Sequence, residues 1–178
     1  MSQGFHPKAK ISSPSALALG IAGEDEVLDL ELDENAEPVE TDRLLASLNG
    51  RSIEGLEFLS ARLLGDREQK ARMESGTFSV RIPEASRSRI SEKIGRLMNS
   101  ESAVVEKSNG KKVDVRPAIV SLDFFPETGE LRTEILANKQ AHNGPEVGFR
   151  DLLATLDLEK ELFRSLFPRR TKVRLAET

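Results

Sequence analysis

The chain has 178 residues, 38% hydrophobic and 31% charged, with a formal net charge of −4 and a pI near 5.4. That composition suits one or two small folded domains. With no cysteine, disulfides, thiolate metal sites and iron–sulfur ligation within this chain are excluded. No apolar run approaches the roughly 20 residues that cross a bilayer. The start carries no apolar signal-peptide core, and a cysteine-free chain fits a reducing compartment, so the cytoplasm is expected and a membrane partner is not.

Charge is uneven. Residues 1–75 carry 8 basic and 15 acidic groups, residues 76–178 carry 18 basic and 15 acidic. A net of +3 falls well short of the dense basic patch that marks a nucleic-acid binder, and DNA is not expected as a partner. Trp and Tyr are absent and eight Phe supply all the aromatics, a thin stock for stacking single-stranded bases.

The first segment, Ser2 to Ser12, is dense in groups suited to binding: Gln3, Gly4, Phe5, His6, Pro7, Lys8 and Lys10. Ala16 to Gly23 reads as a short extended piece, and Glu24-Asp25-Glu26 as a polar turn. From Val27 to Leu32, Leu28, Leu30 and Leu32 alternate with Asp29 and Glu31, the period of a strand with one apolar face. Asp33 to Pro38 is a loop. Val39 to Leu48 is helical, with Leu44, Leu45 and Leu48 on one stripe and Asn49-Gly50 as its stop, glycine suiting a left-handed cap. Leu56 to Leu63 reads as a strand, and the charged stretch 65–76 as a linker.

The second half opens with a strand at Thr77–Ile82. A helix follows from Pro83 to about Asn99, with Ile90, Ile94, Leu97 and Met98 on one face and Arg87, Arg89, Lys93 and Arg96 on the other. Ala103–Lys107 and Lys111–Val115 flank Asn109-Gly110, a two-residue hairpin signal in which both residues take positive φ. Strands at Ile119–Phe125 and Leu131–Leu136 flank a turn at Pro126–Glu130; Lys139–Gly144 is a loop, with His142-Asn143-Gly144-Pro145 a turn. A helix at Glu146–Leu156 buries Val147, Leu152, Leu153 and Leu156. Leu162-Phe163 and Leu166-Phe167 form a short turn, and Arg170–Leu175 is the last strand.

With the hairpin merged into an extended second strand, residues 77–178 predict a βαββαβ, ferredoxin-like unit. Residues 1–64 predict the last four elements of the same unit, with the leading strand and helix missing. The expected fold is therefore α+β: two tandem ferredoxin-like units, the first incomplete.

Two readings are open at Phe5-His6-Pro7. His6 suits metal ligation or proton transfer, with Lys8 and Lys10 holding an anion; alternatively it hydrogen-bonds a loop shaped by Gly4 and Pro7. Asp114 and Arg116 stand two apart on an extended segment, either as an exposed ion pair or with Arg116 reaching a phosphate or carboxylate. Arg170 lies in Arg169–Arg174, which is either an anion-binding edge or a basic edge strand that deters aggregation. The phosphate-loop, dinucleotide-fold and His-Glu-x-x-His patterns are absent, and no catalytic constellation is visible.

Ser2-Gln3-Gly4-Phe5-His6-Pro7-Lys8 with Ile11-Ser12 and Ala16–Gly20, then Glu26–Leu32, Lys111-Lys112-Val113-Asp114-Val115-Arg116-Pro117, Glu146-Val147 and Arg170-Thr171 resemble the radical-SAM-linked protein family, a bacterial domain of unknown function. The resemblance covers nearly the whole chain. It implies a partner, a radical SAM protein encoded beside it or fused to it, and a further strand and helix before the first motif. This chain holds no cofactor; the partner would carry the iron–sulfur cluster and S-adenosylmethionine. The expected role is a non-catalytic partner or substrate-presenting domain. The alternatives are an RNA-binding module related to RNA modification or processing, and an enzyme acting through His6.

Overall fold

The structure is a computed structural model that describes residues 10–32, 39–65, 68–137, 146–161 and 165–176. In chain order it contains β1 (Lys10–Ser12), β2 (Ala22–Gly23), β3 (Asp29–Glu31), α1 (Thr41–Asn49), β4 (Met73–Arg81), α2 (Arg87–Met98), β5 (Val104–Glu106), β6 (Lys112–Asp114), β7 (Ile119–Phe125), β8 (Glu130–Leu136), α3 (Phe149–Thr155) and β9 (Arg169–Leu175). The fold is mixed α+β, with three α-helices and several sheets among the described residues. None of these helices is long and apolar enough to cross a membrane. The expected loops at Asp33–Pro38 and Lys139–Gly144, the turn His142–Pro145 and the pair Leu162-Phe163 lie outside the described residues.

The chain divides into two compact units. Residues 10–12, 28–32, 39–65 and 68–70 belong to the first, and 13–27, 71–137, 146–161 and 165–176 to the second. In the first, β1 and β3 pair antiparallel with Ile11 opposite Leu30. Their apolar side chains stay in contact with water: Leu28, Leu30 and Leu32 are 47%, 36% and 43% exposed. The alternation does set one apolar face, but among the described residues nothing buries it. Helix α1 likewise buries no residue. Gly50 ends α1 in a right-handed conformation (φ −65°), so the left-handed cap expected there does not form. The strand expected over 56–63 is also absent. Asn49 instead holds that segment, its amide donating to the Phe58 carbonyl (2.9 Å) and its carbonyl accepting the Phe58 N–H (2.7 Å).

The second unit contains a five-stranded sheet of order β2-β9-β4-β8-β7. β4 runs antiparallel to both β8 and β9, β7 antiparallel to β8, and the short β2 parallel to β9. β4 starts at Met73, so part of the stretch expected as a linker is sheet. Helix α2 buries Ile90, Ile94 and Leu97, as its spacing predicts, against a core that includes Val80, Leu131 and Ile135. Each such side chain contributes roughly 1.5–3 kcal/mol by leaving water. Helix α3 adds Phe149, Leu152 and Leu153, and the Phe149 ring stacks on Phe78 with centroids 4.9 Å apart.

β5 and β6 pair only with each other, so the hairpin is an insertion between α2 and β7 and not part of a long second strand. Its turn also differs from expectation. The Lys107 N–H donates to Lys111 O, the Gly110 N–H to Lys107 O, and of the two turn residues Gly110 alone takes positive φ (78°). This is a three-residue loop closed by a left-handed glycine. Lys107 pins the hairpin to the start of α3, reaching Asp151 Oδ2 and Glu146 O, both at 2.9 Å.

Candidate functional site

Of the residues singled out in the sequence, Gln3, Gly4, Phe5, His6, Pro7 and Lys8 lie outside the described residues. Lys10 belongs to the first unit. Asp114, Arg116 and Arg170 belong to the second. Each bonds to neighbours within its own unit.

Lys10 sits opposite Glu31 across β1 and β3 and pairs with its Oε2 at 2.9 Å, while Lys70 reaches Oε1 at 2.7 Å. Hydrogen bonds from Lys70 and then Lys10, reinforced by their charges, lower the Glu31 carboxyl from 4.5 to about 2.

Asp114 closes β6, and Val115 then takes helical dihedrals (φ −81°, ψ −31°), so Arg116 starts a 3-10 turn and does not continue the strand. The expected extended Asp-x-Arg pairing is therefore replaced. The Asp114 carboxylate accepts the backbone N–H of Ala103 (2.8 Å) and of Arg116 (3.1 Å). Burial acts to raise this carboxyl. The Ala103 N–H, the Ser102 hydroxyl, the Arg116 N–H and the Arg116 charge outweigh it and hold the group below its ordinary value. The Arg116 guanidinium donates to Met98 O, the last residue of α2, at 3.4 Å, and its buried Nε has no partner. A cation there suits the negative end of the helix. Asp114 and Arg116 thus fasten the hairpin to α2.

Arg170 is the most deeply set of the four, its side chain only 3% exposed. Its Nε donates to Glu26 Oε1 (2.7 Å) and its Nη2 to Glu26 Oε2 and to Ser15 O (3.0 Å). Arg169 pairs with Glu24 at 2.7 Å, and the Val173 N–H donates to Asp25 Oδ2 at 3.2 Å. All three acids of the expected polar turn are therefore bound to β9. The start of β9 is not a free edge, since Ala22–Gly23 pairs along it. Sequence reasoning missed this fastening because its partners stand about 145 residues apart. The signal was present as three consecutive acids and a pair of arginines.

The face of the sheet opposite the core interleaves charges. Asp123, Arg132 and Ser79 lie in one cross-strand row, and Glu134, Thr77 and Lys172 in the next. Arg132 pairs with Glu130 at 2.9 Å and packs over Phe125; Arg174 reaches Glu74 (3.1 Å) and Glu134 (3.2 Å). Among the described residues there is no group of three or more His, Asp or Glu placed to hold a metal ion.

Fold and site together define a mixed α+β protein whose singled-out polar groups, where described, tie the chain to itself. The chain belongs to the family DUF2344, described as an uncharacterized protein conserved in bacteria, which matches residues 1–148. No curated protein and no solved structure matches it.

Proposed function

We propose that this chain is a cytoplasmic, non-catalytic partner or substrate-presenting domain for a radical SAM enzyme, which would supply the iron–sulfur cluster and S-adenosylmethionine. The observation that carries the reading is the state of the first unit. None of its described residues is buried, while Ile11, Leu28, Leu30, Leu59 and Leu63 are exposed. Large apolar side chains exposed on a unit that buries none of its described residues favour a surface that another protein covers. The motif resemblance names which protein. We read the second unit as a ferredoxin-like domain with an inserted hairpin; the order β9-β4-β8-β7 with helices after β4 and β8 supports this.

An RNA-binding module is the second reading, favoured by the net +3 of residues 76–178. The charge pattern of this sheet face weighs against RNA lying there, since Asp123, Glu130 and Glu134 are set among its arginines. Co-expression of the chain with the neighbouring radical SAM protein tests the first reading. A stable complex that Leu30→Asp weakens is expected. Separate elution of the two proteins under conditions where both are folded overturns it.

A further inference from the structure

Asp157 is the one non-glycine among the described residues with positive φ (57°). It follows α3 in a double-bonded cap: its N–H donates to Ala154 O (3.0 Å) and the Leu158 N–H to Leu153 O (2.7 Å). Glycine is the usual residue at such a position, and aspartate adopts it only occasionally. What the side chain gains is a set of cations. Its carboxylate pairs with Lys93 of α2, and the Lys93, Arg89 and Lys160 charges all act to hold the carboxyl below its ordinary value. Beside it opens a groove of about 310 Å³ lined by Lys93, Arg96, Leu97, Ser100, Ala103 and Thr155.

We propose that this groove beside α2 and α3 is a phosphate-binding site centred on Lys93, whose ammonium pairs with the Asp157 carboxylate beside the groove when no ligand is bound. Arg89, Lys93 and Arg96 fall at i, i+4 and i+7, one stripe of the helix, with Arg96 paired to Glu92 of the same helix, an exposed pair that a phosphate can displace. Cations in the second half of a helix also suit its dipole. That explanation does not extend to Lys160, which comes from the turn after α3, nor to an acid in a glycine-favouring conformation. Asp157 is 68% exposed, so its side chain can swing into water when a phosphate, with more charge and more acceptor oxygens, takes its place. The groove wall offers Leu97 and Ala103 and no aromatic ring, so recognition falls on the phosphate and not on a base. The site stands independently of the partner reading, on a different unit of the chain.

The test uses the full chain at low ionic strength with three probes: inorganic phosphate, AMP, and a single-stranded RNA of about 12 nucleotides. NMR amide shifts at Ser100 and Thr155 report the first two, fluorescence anisotropy the third. Lys93→Ala is expected to weaken binding about tenfold, the scale of one charge-assisted contact. Asp157→Asn, which tolerates the same backbone conformation, is expected to tighten it about threefold by removing the competing carboxylate. Binding of phosphate or AMP with both effects assigns a small-ligand source; binding of RNA alone, falling with salt, assigns a nucleic-acid strand. No binding of any probe to a folded chain, or an Asp157→Asn variant that binds no more tightly than the parent, overturns the proposal.

Discussion

The Nε of Arg170 donates to Oε1 of Glu26 at 2.7 Å, across 144 residues of sequence, with the arginine side chain all but removed from solvent. Breaking such a pair from one side leaves the other charge without its partner, which costs about 3–5 kcal/mol. Arg170→Ala should therefore lower the unfolding free energy in urea by about 3 kcal/mol. The double variant Glu26→Gln/Arg170→Met should recover part of that loss, because no orphaned charge remains. A single-variant cost below about 1 kcal/mol would mean the pair is effectively a surface contact.

Gly129 takes φ 75° in the turn between β7 and β8, and a Cβ there would stand 2.6 Å from Ile82 O and 2.6 Å from Arg87 Nε. Arg87 is held by carbonyls of the same turn, Pro126 O at 3.0 Å and Glu127 O at 3.1 Å, so it has little freedom to withdraw. Gly129→Ala should cost about 2 kcal/mol or more, combining left-handed strain with the clash. Gly110→Ala has the strain without the clash, since a Cβ on Gly110 would meet nothing within 4 Å. The two midpoints of thermal unfolding should differ by at least about 3 °C, with Gly129→Ala the lower. Equal midpoints would refute the steric part of the argument.

Glu31 provides a pH test. Its carboxyl is lowered from 4.5 to about 2 by Lys70 and Lys10. A depressed folded-state value means the tie contributes fully above the unfolded value and is lost as pH falls through the folded one. The stabilisation from the double ion pair should thus be intact at about pH 5 and fall away between about pH 4.5 and 2, with the carboxyl itself half protonated only near pH 2. An NMR titration of the Glu31 side-chain carboxyl carbon reads this directly. Lys70→Ala should move the midpoint up, and a parent midpoint at the ordinary glutamate value would remove the geometry.

Phe149 is 2% exposed and stacks on Phe78 with ring planes 5° apart. Phe149→Ala should cost about 3–5 kcal/mol, and Phe149→Leu markedly less, because a leucine refills most of the cavity. Equilibrium denaturation of the pair decides it; similar costs would place the ring's contribution outside the core.

What the residues revealed in advance depended on distance along the chain. The apolar spacing of Ile90, Ile94 and Leu97 is a local property and placed α2 on its buried face. Val147, Leu152, Leu153 and Leu156 did the same for the start and end of α3. Leu28, Leu30 and Leu32 gave the correct alternation, yet periodicity reports a face and not whether anything covers it. Leu56 to Leu63 has strand-like composition and no strand, because Asn49 satisfies Phe58 from a helix end. Asn109-Gly110 marked the hairpin but not its loop length, since a three-residue loop needs only the glycine left-handed. Glu24, Asp25 and Glu26 looked like a solvated turn because their partners are near the other end of the sequence.

The segment 13–27 lies in sequence between two paired strands of the first unit, yet its side chains belong to the second. The chain therefore passes between units after residues 12, 27 and 70. One consequence concerns how the protein can be taken apart. A fragment beginning at residue 71 would keep β4, β7, β8 and β9 but lose Ile21 from the core and Glu26 from Arg170. A fragment ending at residue 70 would carry 15 residues whose fastenings had been cut away. No single cut of the chain therefore yields either unit whole.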